Sequence, residues 1–255
     1  NGLIQFSAIS KPNLQSGYTL DDNSRALIAV TKHYQLSNSD EDLILIKIYL
    51  KFILFCQQEG GDFLNYVDKE GNFTANNFNE NLEDANGRAI WALGEFISFK
   101  EILSKDVIKQ AKFAIEKSLK HILVFNSPRA ISFAIKGLYF YNLDKQSPRI
   151  NYLITSLADN LVSKYRGVSD TKWKWYEHYL TYANSIIPEA MLFAGLSTGS
   201  ELYKGIAKTS FDFLLSLTFK DNQIKVISNQ GWYHKGKKVN RFGEQPIDVA
   251  YTILA

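Results

Sequence analysis

The sequence predicts an all-α protein in which buried inner helices and surface outer helices alternate as concentric rings, a toroid with short β-hairpins in its rim loops. Three observations carry this reading. Five segments share one plan, a polar or turn-forming start followed by a helix rich in Ala, Gly and aromatics, and such self-similarity marks a repeat architecture. Between them lie four helices whose apolar residues fall on one side only, the pattern of a helix packed on a core. The chain is 255 residues long, 45% hydrophobic and has only 5 Pro, so it has the material for a large helical core.

Taken in order, residues 21–30 (DDNSRALIAV) open the inner series and residues 42–56 form the first outer helix. Residues 62–74 alternate about the Asp68–Gly71 turn and read as a β-hairpin. Residues 84–96 (DANGRAIWALGEF) form the second inner helix, where Ala85, Ala89, Ala92 and Gly94 permit close packing on more than one side. The outer helix 107–123 has Ile108, Ala111, Ile115, Leu119 and Ile122 on one face and lysines on the other. Residues 127–140 and 182–196 are the third and fourth inner helices, with outer helix 152–165 between them. Outer helix 201–219, a second hairpin at 222–233 and a last inner helix at 244–255 complete the series. No single hairpin buries its inner helix alone, so residues 1–255 are expected to be one domain.

The net charge of +3 is scattered, which gives no reason to expect nucleic acid as a partner. The longest apolar run, 43–56, is interrupted by Lys47 and Lys51 and is too short for a membrane span. A single cysteine, Cys56, frees the fold from an oxidising compartment, and no signal peptide is evident, so a cytoplasmic location is expected. The four histidines lack metal-ligand spacing, and no metal or cofactor is expected.

The starts of the inner helices hold nearly all the unusual polar residues. Asp21, Asp22 and Arg25 open the first, Asp84 and Arg88 the second, and Arg129 the third. Trp175, Glu177, Tyr182 and Asn184 lead into the fourth, and Trp232, Glu244, Gln245 and Asp248 into the fifth. Sugars present apolar C–H faces that stack on Trp and Tyr, and hydroxyls that need bidentate partners such as carboxylates, amides and guanidinium groups. Glycosidic cleavage needs two carboxyl groups flanking the bond. Glu177, Asp22, Asp84 and Asp248 are the candidate catalytic carboxylates; aromatic neighbours on both sides make Glu177 the preferred acid/base. Asp21, Arg25, Arg88, Arg129, Trp175, Tyr182, Asn184, Trp232, Glu244 and Gln245 are the candidate sugar-binding residues. Plainer roles compete with these: Asp21, Asp84 and Ser127 sit where helix N-caps belong, and Asp22 with Arg25 also reads as a structural pair.

The segments DDNSRALIA, DANGRAIWALG, SPRA, WKWYEHYLTYANSIIPEA and EQPIDVA resemble, in order, a bacterial family of all-α domains that occur alone or joined to group 1 glycosyltransferases in sugar-metabolism operons. The resemblance spans about residues 17–255. It implies the architecture of the six-hairpin glycosidases, an (α/α)6 toroid, a carbohydrate ligand, and a glycosyltransferase as partner or fused domain. Five inner and four outer helices leave such a ring without part of its last hairpin. The leading expectation is therefore a glycoside hydrolase-like protein with the glycan at the N-terminal ends of the inner helices. The alternatives are a non-catalytic glycan-binding domain and a sugar epimerase or isomerase, which needs His178 or His234 as proton carrier.

Overall fold

The computed structural model describes residues 2–143, 146–240, 242–243 and 245–255. They divide into two compact units, Asn1–Ser147 and Pro148–Ala255.

In the first unit, β1 (Ser7–Ala8) and β2 (Lys11–Pro12) form a small antiparallel pair, and β3 (Tyr18–Thr19) leads into α1 (Leu20–Ser37). Thr19, not Asp21, caps α1: its hydroxyl accepts from the Asp22 N–H at 3.1 Å and donates to Asp22 Oδ2 at 2.6 Å. The helix ends at Asn38, whose left-handed backbone (φ 50°) returns its N–H to Tyr34 O. Helix α2 (Asp40–Cys56) starts on the Ser39 cap with Asp40, Glu41 and Asp42 in its first turn, where the helix dipole favours acids. After β4 (Tyr66–Val67) and the short α3 (Asn76–Asn79) come α4 (Glu83–Ser98), α5 (Lys105–Ser118) and α6 (Pro128–Asn142).

Helix α4 packs against α6, α1 and α5, and every residue from Ala85 to Ile97 is buried. It is the all-round buried inner helix that its small residues imply. The contact with α6 is made backbone on backbone: a Cβ on Gly94 would lie 2.0 Å from Gly137 O, and one on Gly137 would lie 2.3 Å from Ile90 O. Helix α1, expected to be buried in the same way, instead buries one face through Leu20, Asn23, Ser24, Leu27, Val30, Thr31 and Tyr34. Cys56 ends α2 in the core, and burial pushes its thiol up to about 12. Only the thiolate reacts readily, so a disulfide reagent such as dithionitrobenzoate is expected to label Cys56 no faster than the protein unfolds. Prompt stoichiometric labelling of native protein would contradict this.

The second unit contains α7 (Pro148–Val168), β5 (Tyr179–Leu180), α8 (Ile186–Thr198), α9 (Glu201–Thr218), β6 (Phe219–Lys220), β7 (Gln223–Ile224), β8 (Tyr233–His234) and α10 (Pro246–Leu254). Helix α7 buries a stripe from Ile150 to Val162 at helical spacing. Helix α8 packs on α7 and α9; Gly199, at φ 74°, ends it by returning its N–H to Gly195 O, which allows the tight turn into α9.

Both sequence-predicted hairpins form differently. Residues 62–74 do turn at Asp68–Gly71, with a bridge between Val67 and Phe73, but the main partner of β4 is β3, far back in the chain. Residues 222–233 contribute to two separate pairs: β7 folds back on β6 through Asp221 and Asn222, both at left-handed φ, and β8 pairs with β5. Strand partners of this kind are set by tertiary packing, which local alternation does not report. Among the described residues no helix is long and apolar enough to cross a membrane.

Candidate functional site

The candidate residues of the first unit gather at the starts of α1, α4 and α6. Asp21 is held from two sides, by Arg25 Nη2 at 2.8 Å and by Nη1 of the buried Arg88. Arg25 also reaches Asp22 Oδ1 at 2.6 Å, so Asp22 is divided between this guanidinium and the Thr19 hydroxyl. Asp84 accepts from Ser127 Oγ at 2.6 Å, and Glu83 accepts from the N–H groups of Asn126 and Ser127. Ser127 caps α6 as expected, whereas Asp84 lies in the first turn of α4 and is not its N-cap. Arg129 is buried in the first turn of α6. Carboxylates engaged in this way have their lone pairs committed to holding arginines and chain ends. The pairing of Asp22 with Arg25 supports the structural reading.

Behind these starts stands a column that the sequence argument missed. The Arg88 guanidinium lies 4.5 Å from the Phe133 ring centroid. Phe133 stacks on Trp91 with centroids 5.6 Å apart and planes 8° from parallel. Lys136 Nζ sits 4.1 Å from the Trp91 centroid. All four side chains are buried, so aromatic faces contribute to holding two cations in the core, one of which, Arg88, also pairs with Asp21. A signal was present: Arg88 precedes Trp91, and Phe133 precedes Lys136, by three residues, the spacing of neighbours on one helix face.

In the second unit the loop from 169 to 185 does the positioning. Asp170 accepts from the N–H groups of Lys172 and Trp173 and pairs with Lys235 Nζ at 2.7 Å. The hydrogen bond from Lys235, followed by those two N–H groups, lowers the Asp170 carboxyl to about 2. Its contribution to the loop is therefore complete above the ordinary carboxylate range and fades only as pH falls toward that value. Trp173 Nε1 donates to Glu177 O at 2.8 Å, and the Glu177 side chain is half-buried. Trp175, expected as a sugar-stacking plate, is a correction: it is 0% exposed, packed edge-on against Tyr176 and near Phe213, and has no face to offer a ligand. A Trp amid polar neighbours reads as exposed in sequence, but here the loop folds it inward to fill the core.

Asn184 spans its own turn, accepting from Thr181 N–H at 3.0 Å and donating to Thr181 O at 2.6 Å. Ala183 takes a left-handed backbone (φ 48°), and its N–H donates to the buried Asp248 carboxylate on α10. Between these two braces Tyr182 is half-buried, its ring 6.4 Å from that of Trp232, also half-buried. Trp232 itself has φ 48°, directly after Gly231 at φ 84°. Gln245 precedes α10; its side chain is half-buried and makes no hydrogen bond to a described residue, while its carbonyl accepts from Asp248 N–H at 3.1 Å. Asp248 and Asn184 thus brace the turn that carries Tyr182. Glu244 lies outside the described residues. His178 and His234 are exposed, and the His234 ring lies 5.8 Å from that of Tyr179.

The chain is similar in structure to three solved sugar enzymes. A sugar epimerase from a ruminal bacterium matches with a TM-score of 0.70 and 14% identity over 94% of this chain and 70% of that one. A D-mannose isomerase matches at 0.67 and 14%, over 92% and 68% respectively. A cellobiose 2-epimerase from Bacillus thermoamylovorans matches at 0.65 and 12%, over 90% and 68%. The fold is of the all-α, (α/α)6-toroid class. No protein-family model matches the chain. No curated protein matches it. At such identities the likeness speaks for fold, and function must be argued from the site. No group of three or more His, Cys, Asp or Glu that could hold a metal occurs among the described residues.

Proposed function

We propose that this chain is carbohydrate-active, holding a sugar ring against the Tyr182–Trp232 pair and moving a proton on it as an epimerase or isomerase does. The observation that carries this is the half-buried Tyr182–Trp232 ring pair on a turn braced by Asn184 and Asp248; Gln245, whose backbone carbonyl accepts from Asp248 N–H, has an amide that no described residue engages. Aromatic faces suit the C–H faces of a sugar, and the amide can both donate to and accept from a hydroxyl. The three structural neighbours, named as enzymes that epimerise or isomerise sugars, support the choice of reaction.

In that reaction a base removes the proton from C2 of the open-chain aldose to give an enediol. Return of a proton to the other face of C2 gives the epimer, and return to C1 gives the ketose. Histidine has a pKa suited to both halves of this transfer near neutral pH. His234 is the residue we assign to it, with His178 as the alternative. His234 follows Trp232 by two residues, which keeps their Cα atoms within about 7 Å.

Glycan binding without turnover is a second reading. It is favoured by the commitment of Asp21, Asp22, Asp84 and Asp248 to arginines, hydroxyls and backbone, which leaves the cleaving pair of a hydrolase without free members there. Association with a glycosyltransferase, which rests on the sequence resemblance, and a cytoplasmic location, with which the single cysteine is compatible, belong to the same proposal.

The deciding experiment incubates the chain with a panel of reducing sugars, mannose and cellobiose among them, in D2O and follows them by NMR. Deuterium at C2 of a new epimer, or at C1 of a new ketose, is the expected result. New reducing ends would move the reading to hydrolysis, and binding with neither would move it to the glycan-binding domain. Absence of binding and turnover across the panel would overturn the carbohydrate reading.

A further inference from the structure

The first unit holds a cavity of about 370 Å³ that none of the candidate sugar residues line. Tyr18, Phe52 and Val67 form its floor, all three buried, and Phe55 stands at its wall, 48% exposed and stacked on Phe73 with centroids 5.0 Å apart. The cavity lies at the small end of the range that holds organic ligands. Its lining contains no carboxylate and no side-chain amide, the groups that would read sugar hydroxyls. Its charged members are instead two lysines, Lys51 and Lys69.

Lys51 precedes Phe55 by one helical turn on α2, so the two share a face. It forms no ion pair or hydrogen bond with any described residue. Lys69 is 3.6 Å from Glu70, a loose pair exposed on both sides and therefore weak. The other acid of that turn, Asp68, is occupied by Asn72, whose backbone N–H, and less strongly its amide, keep the carboxyl below its ordinary value. Tyr18 adds a hydroxyl that makes no hydrogen bond with any described residue.

An aromatic-walled cavity with an unpaired cation at its edge is complementary to a molecule with an apolar body and one negative end. We propose that this cavity binds a medium-chain carboxylate, its alkyl chain against Phe52 and Phe55 and its carboxylate beside Lys51. The alkyl part gains from leaving water, and the charge selects the end that stays at the rim.

The test titrates decanoate into the full chain by calorimetry, below its micelle concentration, with decanol and acetate as comparisons. Decanoate is expected to bind once per chain, at least tenfold more tightly than decanol, with acetate not binding. Lys51→Glu and Phe55→Ser are each expected to weaken decanoate at least tenfold, and Lys51→Arg to retain it. Both residues face solvent, and circular dichroism with thermal melts verifies that the variants stay folded. Equal binding of decanol, several decanoates per chain, or undiminished binding by Lys51→Glu would overturn the proposal. None of these outcomes bears on the carbohydrate reading, which rests on residues of the other unit.

Discussion

Gly137→Val is expected to leave no stably folded protein. A Cβ at this position would meet Ile90 O at 2.3 Å, Ile90 C at 2.6 Å and Trp91 Cα at 2.8 Å, all backbone atoms of α4. No rotamer change relieves a clash with backbone, so the helices must separate. Separation would in turn pull apart the Arg88–Phe133–Trp91–Lys136 column, in which both buried cations lie over ring faces. Overpacking alone costs about 1–3 kcal/mol. With two buried cations partly uncovered, a total above about 4 kcal/mol is expected, a large share of a typical domain's stability. Gly205→Ala on α9 is the control. A Cβ there meets nothing within 4 Å, and the exposed helical position should gain up to about 1 kcal/mol. Urea melts of both variants check this, and a Gly137→Val midpoint close to that of the parent would refute the close-packing argument.

Trp232→Ala is expected to weaken sugar binding by ten- to a hundredfold while leaving the melt nearly unchanged. In the proposed site this half-buried ring and Tyr182 together meet the sugar, and loss of an aromatic contact surface of that size is worth about 1.5–3 kcal/mol. Asp248→Ala should reach a similar loss by another route. Without the carboxylate, the Ala183 N–H loses its acceptor and nothing compensates for the left-handed backbone there, so Tyr182 is no longer held in place. The two variants differ in stability: Asp248→Ala should also lower the melting midpoint, because it leaves a buried donor unpaired. Calorimetry against the best ligand of the sugar panel measures both. Unchanged affinity in Trp232→Ala would remove the aromatic pair from the site.

Legibility in the sequence followed the range of the interactions. Helix α4 was readable because Ala85, Ala89, Ala92 and Gly94 are local facts about one helix, and small residues on several faces have few uses other than close packing. Helices α5 and α7 were readable from one-sided periodicity. The Asp22–Arg25 pair was also within reach, since one turn of helix brings the two together. Trp175 was misread because its neighbours in sequence are polar while its neighbours in space, Tyr176 and Phe213, are aromatic.

The amino-acid sequence by itself determined the all-α class, the all-round burial of α4 and α6, the one-sided burial of α5 and α7, and the segments where polar and aromatic residues meet at helix starts. These depend on spacing of three to four residues and on turn-forming types, which the chain carries locally. Tertiary structure alone decided that β4 pairs with β3 and β8 with β5, that Arg88 holds Asp21, and that Asp248 holds Ala183. Each of those joins residues more than forty positions apart, and a chain specifies such partners only through the packing of the elements that carry them.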